Sequence, residues 1–206
     1  LRGDVGDVAY CAKQVGRLAD DVFGSQGGHA RYTVFGHSFG ALVAMTLALQ
    51  QPANLRRMVL QSPFLEAGFP LPRWKTSAAT LLARWWPACS FSMNLDAAML
   101  SRDPAVVQAY RDDPLVHQRI SARSYRSILQ ARDEAFRRAH ELRVPLLMLS
   151  GDADRIASIE AARRWFALVA GEKRSRVFPG AYHELHHEPI KDEARRLLRD
   201  WTLTHV

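Results

Sequence analysis

The feature that most constrains this chain is Gly36-His37-Ser38-Phe39-Gly40, set between the β-rich run Tyr32-Thr33-Val34-Phe35 and the Ala/Leu/Met-rich stretch Ala41–Gln50 that Pro52 stops. A serine with glycine two residues away on each side, leaving a strand and opening a helix, suits a sharp turn in which crowding is relieved and Oγ stands clear of the backbone. The bland alternative is a Gly-rich turn. A serine hydroxyl is a poor nucleophile until a histidine takes its proton, and that histidine needs a carboxylate to hold its tautomer and stabilise its charged form. Partners must therefore be sought downstream. Asp152 and Asp154 lie in Ser150-Gly151-Asp152-Ala153-Asp154-Arg155, just past the apolar run Val144–Ser150. His183 lies in Pro179-Gly180-Ala181-Tyr182-His183, just past the short strand expected at 176–178.

Around these residues the hydrophobic pattern alternates in βαβ fashion. Val8, Cys11, Val15, Leu18, Ala19 and Val22 recur at helical spacing over 5–23, and Ser25-Gln26-Gly27-Gly28 breaks that helix. Arg57–Gln61 reads as a second buried strand, and Val144–Ser150 as a third, covered on both faces as in parallel sheets. A helix over 157–170, a strand over 176–178 and a helix over 189–203 follow. Residues 64–143 interrupt the alternation with a segment lacking strand-like runs, in which 81–86, 96–100, 104–110 and 125–139 read as helices. The expected organisation is a core half over 1–63 carrying the serine turn, a helical insertion over 64–143, and a second core half over 144–206 carrying the acid and the histidine. An insertion placed after a strand's C-terminal end sits over the ligand crevice of an open α/β sheet.

Composition removes whole classes. With 206 residues, 48% apolar and 24% charged, the chain matches one globular domain or one core with an insertion, not a disordered, collagen-like or multidomain protein. The longest apolar stretch, Ala41–Leu49, is broken by Thr46 and falls far short of the roughly 18 residues of a membrane span. Two distant cysteines, Cys11 and Cys89, supply neither a zinc ribbon nor a disulfide scaffold, so a cytoplasmic location is expected. The chain opens Leu-Arg-Gly-Asp, with no targeting segment visible. Most of the +7 net charge falls in 66–143, where arginines are interspersed with Asp103, Asp112, Asp113, Asp133 and Glu134. That pattern reads as solvated helix faces; no nucleic-acid partner is expected, and the anionic-surface alternative is a transient membrane contact through the insertion.

The motifs resemble those of the monoglyceride lipase and lysophospholipase-like serine hydrolases of the α/β-hydrolase superfamily. The resemblance rests on Gly36-His37-Ser38-Phe39-Gly40, on Gly151-Asp152-Ala153-Asp154-Arg155 and on Phe178-Pro179-Gly180-Ala181-Tyr182-His183-Glu184-Leu185-His186, and it covers nearly the whole chain. It implies an α/β-hydrolase fold, a mostly parallel sheet flanked by helices, with a helical cap over 64–143. It also implies Ser38 as nucleophile, Asp154 as the acid, His183 as the base, and cleavage of monoacylglycerol- or lysophospholipid-type esters with no cofactor. Asp152 is then a turn residue ordering the Gly151 loop, and Arg155 is structural.

His183-Glu184-Leu185-His186-His187 also satisfies HExxH, the zinc-protease helix motif. Pro179-Gly180 before it and Pro189 after it deny that motif its sustained helix, so no metal is expected, and His186 and His187 read as solvated loop positions. His37 either lines the substrate site or is a satisfied, partly buried histidine. Phe64, Trp85, Trp86, Trp74, Phe69 and Met93 either wall an acyl pocket or form cap core; Phe64 and Trp85 are the candidates for substrate contact.

The fold's oxyanion hole takes one N–H from the residue after the nucleophile, here Phe39, and a second from a loop after an earlier strand. Only 37 residues precede Ser38, so the chain is expected to be an N-terminally truncated hydrolase with turnover lowered by about 10²- to 10³-fold and with an unpaired, association-prone strand edge. Two other readings stay open: a non-catalytic binding module that retains the fold, and a peptidase, thioesterase or C–C hydrolase built on it.

Overall fold

Four parallel strands lie in the order β1-β2-β5-β6: β1 (Tyr32–His37), β2 (Leu55–Gln61), β5 (Leu146–Gly151) and β6 (Lys173–Phe178). The computed structural model describes residues 3–24, 31–69, 82–93 and 95–203; the Ser25–Gly28 break and Trp74 lie outside them. The register pairs His37 with Gln61, Gln61 with Leu149 and Gly151 with Phe178. All four C-terminal strand ends therefore meet at one edge, and Ser38, Asp154 and His183 each follow one of them.

Period-two alternation in β2 and β5 explains the layers. Met58, Leu60, Leu146 and Met148 enter the main core with α1 (Val8–Gly24) and α2 (Phe39–Ala48), while Val59, Leu147 and Leu149 face the opposite way onto α6 (Lys191–Leu203). Helix α2 has no polar face: Ala41–Met45, Leu47 and Ala48 are buried, because α1, the sheet and α4 (Ala122–Arg137) enclose it. Burying such a helix on all sides pins the position of its first turn. β1 hydrogen-bonds only to β2 among the described residues, and Phe35 on it is 44% exposed. Arg57 is a buried cation in this framework. At 4% exposed, it donates to the Trp201 carbonyl in the last turn of α6 and lies over the Trp201 ring, which places a positive charge at a helix C-terminus.

The segment 64–143 is not purely helical. β3 (Ser90–Ser92) and β4 (Arg119–Ser121) pair antiparallel within it, beside a 3₁₀ turn at Ala97–Met99 and α3 (Pro104–Asp112). Three-residue strands are too short to show alternation, and their pairing partner lies some thirty residues away. Helix α4 shares the main core through Ile128 and Ala135, and the Trp165 indole of α5 (Ile159–Leu168) donates to the Ala135 carbonyl at 3.0 Å. The N-terminal segment is tied to the same region: Ser121 N–H donates to Gly3 O at 2.8 Å, Val8 N–H donates to Ser127 Oγ, and Asp4 pairs with Arg123. The Arg123 guanidinium and Ser121 hydroxyl hold the Asp4 carboxyl well below the usual carboxylate range. Among the described residues, no helix is long and apolar enough to cross a membrane.

Candidate active site

Ser38 sits between β1 and α2 with φ 53° and ψ −118°, a conformation L-residues rarely adopt. Neighbouring backbone holds it there. Ser38 N–H donates to Gln61 O at 3.0 Å, and its carbonyl accepts from Ala41 N–H at 3.1 Å and Phe64 N–H at 3.2 Å. The two flanking glycines are not equivalent. A Cβ on Gly36 would lie 2.5 Å from the Gly40 carbonyl oxygen and 2.7 Å from Ala41 Cα, whereas one on Gly40 would meet nothing within 4 Å. Crowding relief therefore belongs to Gly36, because the strand has to pass under the first turn of α2.

Past β5, Asp154 Oδ1 accepts from Ile156 N–H at 2.8 Å and Ala157 N–H at 3.0 Å, which leaves Oδ2 to meet His183 Nδ1 at 2.7 Å. Both side chains are 3% exposed, so this charge-assisted contact is shielded from water. Asp152 points elsewhere: its Oδ1 accepts from Gly180 N–H at 2.5 Å, fastening the turn before His183. Gly151 permits that fastening, since a Cβ there would lie 2.2 Å from Ala181 O. The His183 backbone is held in turn by Ser62, whose hydroxyl donates to the His183 carbonyl at 2.6 Å. Ser62 is 1% exposed with φ 45°, a second strained residue beside Ser38.

His37 brings the elbow and the base together. Its ring centroid lies 4.9 Å from that of His183 and 5.1 Å from that of His186. Between His37 and His186 stands Gln61, 2% exposed, with Nε2 at 3.2 Å from His37 Nδ1 and 2.6 Å from His186 Nδ1. His186 is therefore half-buried and engaged, not a solvated loop residue, whereas His187 is exposed with Nδ1 2.8 Å from Glu184 Oε2. Gln61 carried no signal beyond its place at a strand end, and it shows its role only once β1 and β2 are in register.

Burial, with the neighbouring His183 and His186 rings second, pushes His37 down to about 3 against a backbone hydrogen bond with Gln61; burial also lowers His186. A histidine kept neutral on folding leaves the unfolded chain as the better proton acceptor below its ordinary pKa near 6.5. The stability it contributes is full above that pH and is lost as pH falls toward 3. Between pH 6.5 and 4.5, above the range of Asp4, the unfolding free energy from urea titrations should fall by up to about 1.4 kcal/mol per pH unit per proton, and the urea midpoint should fall with it. The midpoint of His37→Gln should fall less over the same window. Equal slopes in the two proteins would remove His37 from the account.

The remaining candidates fall in different places. Phe39 opens α2, so its N–H belongs to the first turn, whose donors have no partner earlier in the helix. Phe64 is half-buried against the main core beside the Ser38 carbonyl. Trp85 and Trp86 present their rings to solvent, 76% and 66% exposed. The HExxH pair does not form a shared site, because His183 faces Asp154 while His187 ends the single 3₁₀ turn Leu185–His187. The side chains there that bring ligand atoms within 4.8 Å of one another are Glu184, His186 and His187.

Comparison with known proteins agrees with this architecture. Over 175 residues the chain is 32% identical to a monoacylglycerol lipase of Mycolicibacterium smegmatis, covering 84% of this chain and 62% of that protein. It is 31% identical over 158 residues to the monoglyceride lipase of Homo sapiens, covering 75% of this chain and 52% of that protein. The chain thus spans about half to two-thirds of the length of these curated relatives. The crystal structure of a monoacylglycerol lipase from Paleococcus ferrophilus superposes with TM-score 0.88 at 31% identity, covering 100% of this chain and 78% of that one. The family model described as "Serine aminopeptidase, S33" matches residues 1–190. The chain therefore belongs to the serine aminopeptidase S33 family, with an α/β-hydrolase fold of the monoglyceride lipase-like kind.

Proposed function

We propose that this protein hydrolyses carboxylic esters of monoacylglycerol or lysophospholipid type through an acyl-serine intermediate. The observation that carries the reading is the buried Asp154–His183 pair, 2.7 Å apart, set beside the strained Ser38 turn through His37. Ser38 Oγ attacks the ester carbonyl carbon while His183 Nε2 takes its proton. Asp154 holds Nδ1–H and stabilises the imidazolium. Phe39 N–H, at the positive end of α2, stabilises the developing oxyanion. The alcohol leaves with the proton returned by His183, and water, activated by the same histidine, releases the acid. No step needs a cofactor or metal, so activity should survive chelators. The lipid character of the substrate is supported by the relatives named above. We assign 64–143 as the cap over the strand ends, between core halves 1–63 and 144–206, and a reducing, cytoplasmic setting for the free thiols Cys11 and Cys89.

The test is fluorophosphonate labelling of the folded chain with peptide mapping, followed by a panel of monoacylglycerols, lysophospholipids and aminoacyl amides. Label on Ser38 and turnover of the lipid esters are expected. Label absent from Ser38 in folded protein would sink the reading, and preferential aminoacyl cleavage would redirect it to peptidase chemistry. The exposed Trp85 and Trp86, with Leu82 on the same helical turn and the Arg84 guanidinium over the Trp85 ring, support a transient contact of the cap with a lipid surface. Trp85→Ser/Trp86→Ser should weaken sedimentation with phosphatidylcholine/phosphatidylglycerol vesicles by about tenfold or more. Unchanged partitioning would leave these rings without that role.

A further inference from the structure

The segment Leu100–Arg102, which joins the 3₁₀ turn to α3 in the cap, is bonded directly to the loop that carries His183. Glu184 N–H donates to Leu100 O at 2.9 Å, and the Ser101 hydroxyl donates to His187 O at 3.0 Å. Glu188 is 0% exposed, and both its carboxylate oxygens are taken by one cap residue. Arg102 N–H donates to Oε1 at 2.5 Å and Arg102 Nε to Oε2 at 2.6 Å. A carboxylate with no access to water depends on such a partner, since the alternative is an uncompensated buried charge. With Glu188 buried and the Arg102 side chain 37% exposed, such a pair contributes little net stability but imposes geometry. Here the geometry imposed is that of the six-residue stretch His183–Glu188, whose first residue must hold its ring on Asp154.

Resting on the hydrolase reading above, we infer that Arg102 and Glu188 are positioning residues: a cap-to-loop clamp that sets the alignment of His183, so that the cap governs the chemical step and not only access to the site. Loosening the clamp moves the base by fractions of an ångström relative to Ser38 and Asp154. Misplacement of that order slows reaction without weakening substrate binding.

Wild type, Arg102→Gln, Glu188→Gln and the double variant Arg102→Gln/Glu188→Gln are compared by kcat and KM on p-nitrophenyl butyrate. The fluorophosphonate labelling rate at Ser38 and circular dichroism are read on the same samples. Arg102→Gln should lower kcat and the labelling rate by roughly tenfold to a hundredfold, with KM within about twofold of wild type. The double variant removes the buried charge and lets two amides meet, so it should recover most of the loss, a rescue that a purely stabilising contact would not produce in folded protein. Unchanged kcat in folded Arg102→Gln, a change confined to KM, or no recovery in the double variant would each overturn the inference. Should Arg102→Gln fail to fold, Glu188→Gln decides by the same kcat criterion, because its amide oxygen still accepts from Arg102 N–H. Wild-type protein that does not label at Ser38 would instead refute the hydrolase reading on which the clamp depends.

Discussion

Ser38→Ala should leave the fold intact and lower ester hydrolysis by about 10⁴-fold or more. The loss is that large because in the proposed mechanism every step runs through the acyl-serine, which cannot form without Oγ. The fold should tolerate the change because the positive φ at residue 38 is maintained by backbone bonds from Gln61, Ala41 and Phe64, not by the hydroxyl. Steady-state rates on a monoacylglycerol, with circular dichroism and thermal unfolding as controls, check both halves. Activity within about tenfold of wild type would place the nucleophile elsewhere.

Asp154→Asn should lower kcat by about 10⁴-fold with little change in stability, and the hydrogen-bond pattern explains why an isosteric change is so costly. Ile156 and Ala157 N–H both point at Oδ1, so the amide oxygen of asparagine must occupy that position. Its NH₂ then faces His183 Nδ1 and donates to it. The ring is forced into the tautomer protonated on Nε2, which cannot accept the Ser38 proton. Asp152→Asn is the matched control: that carboxylate is exposed and bonds Gly180 N–H, so its kcat should stay within a few-fold of wild type. A small effect of Asp154→Asn, or a large one of Asp152→Asn, would reverse the assignment of the acid.

The sequence by itself determined the parts of this protein that are local in the chain. Continuous apolar runs such as Val144–Leu149 declare buried parallel strands because both faces are covered; the β-rich run Tyr32–Phe35 and the shorter runs at 57–61 and 176–178 were legible as strands too, with ends displaced by at most three residues. The turn at Ser38 was legible because Gly36 stands where a Cβ would strike α2, although the same argument applied to Gly40 has no steric basis in the structure. HExxH is the converse case: a local match whose two histidines the fold sends in different directions, since Pro179-Gly180 and Pro189 leave only a 3₁₀ turn between them.

What only the tertiary structure decided are contacts between residues far apart in sequence, which leave no periodicity to read. β3 and β4 found each other across some thirty residues, with strands too short to alternate. Gln61 joins His37 to His186, 125 residues away, only because the β1–β2 register brings two strand ends level. Arg102 and Glu188, 86 residues apart, look in the sequence like two more surface charges. They become a pair, with Glu188 fully buried under a partly exposed Arg102, because the insertion folds back onto the histidine loop. Local sterics and hydrophobic period are written into neighbouring residues, whereas the desolvation that pairs Arg102 with Glu188 and holds His37 neutral exists only after the chain has closed around them.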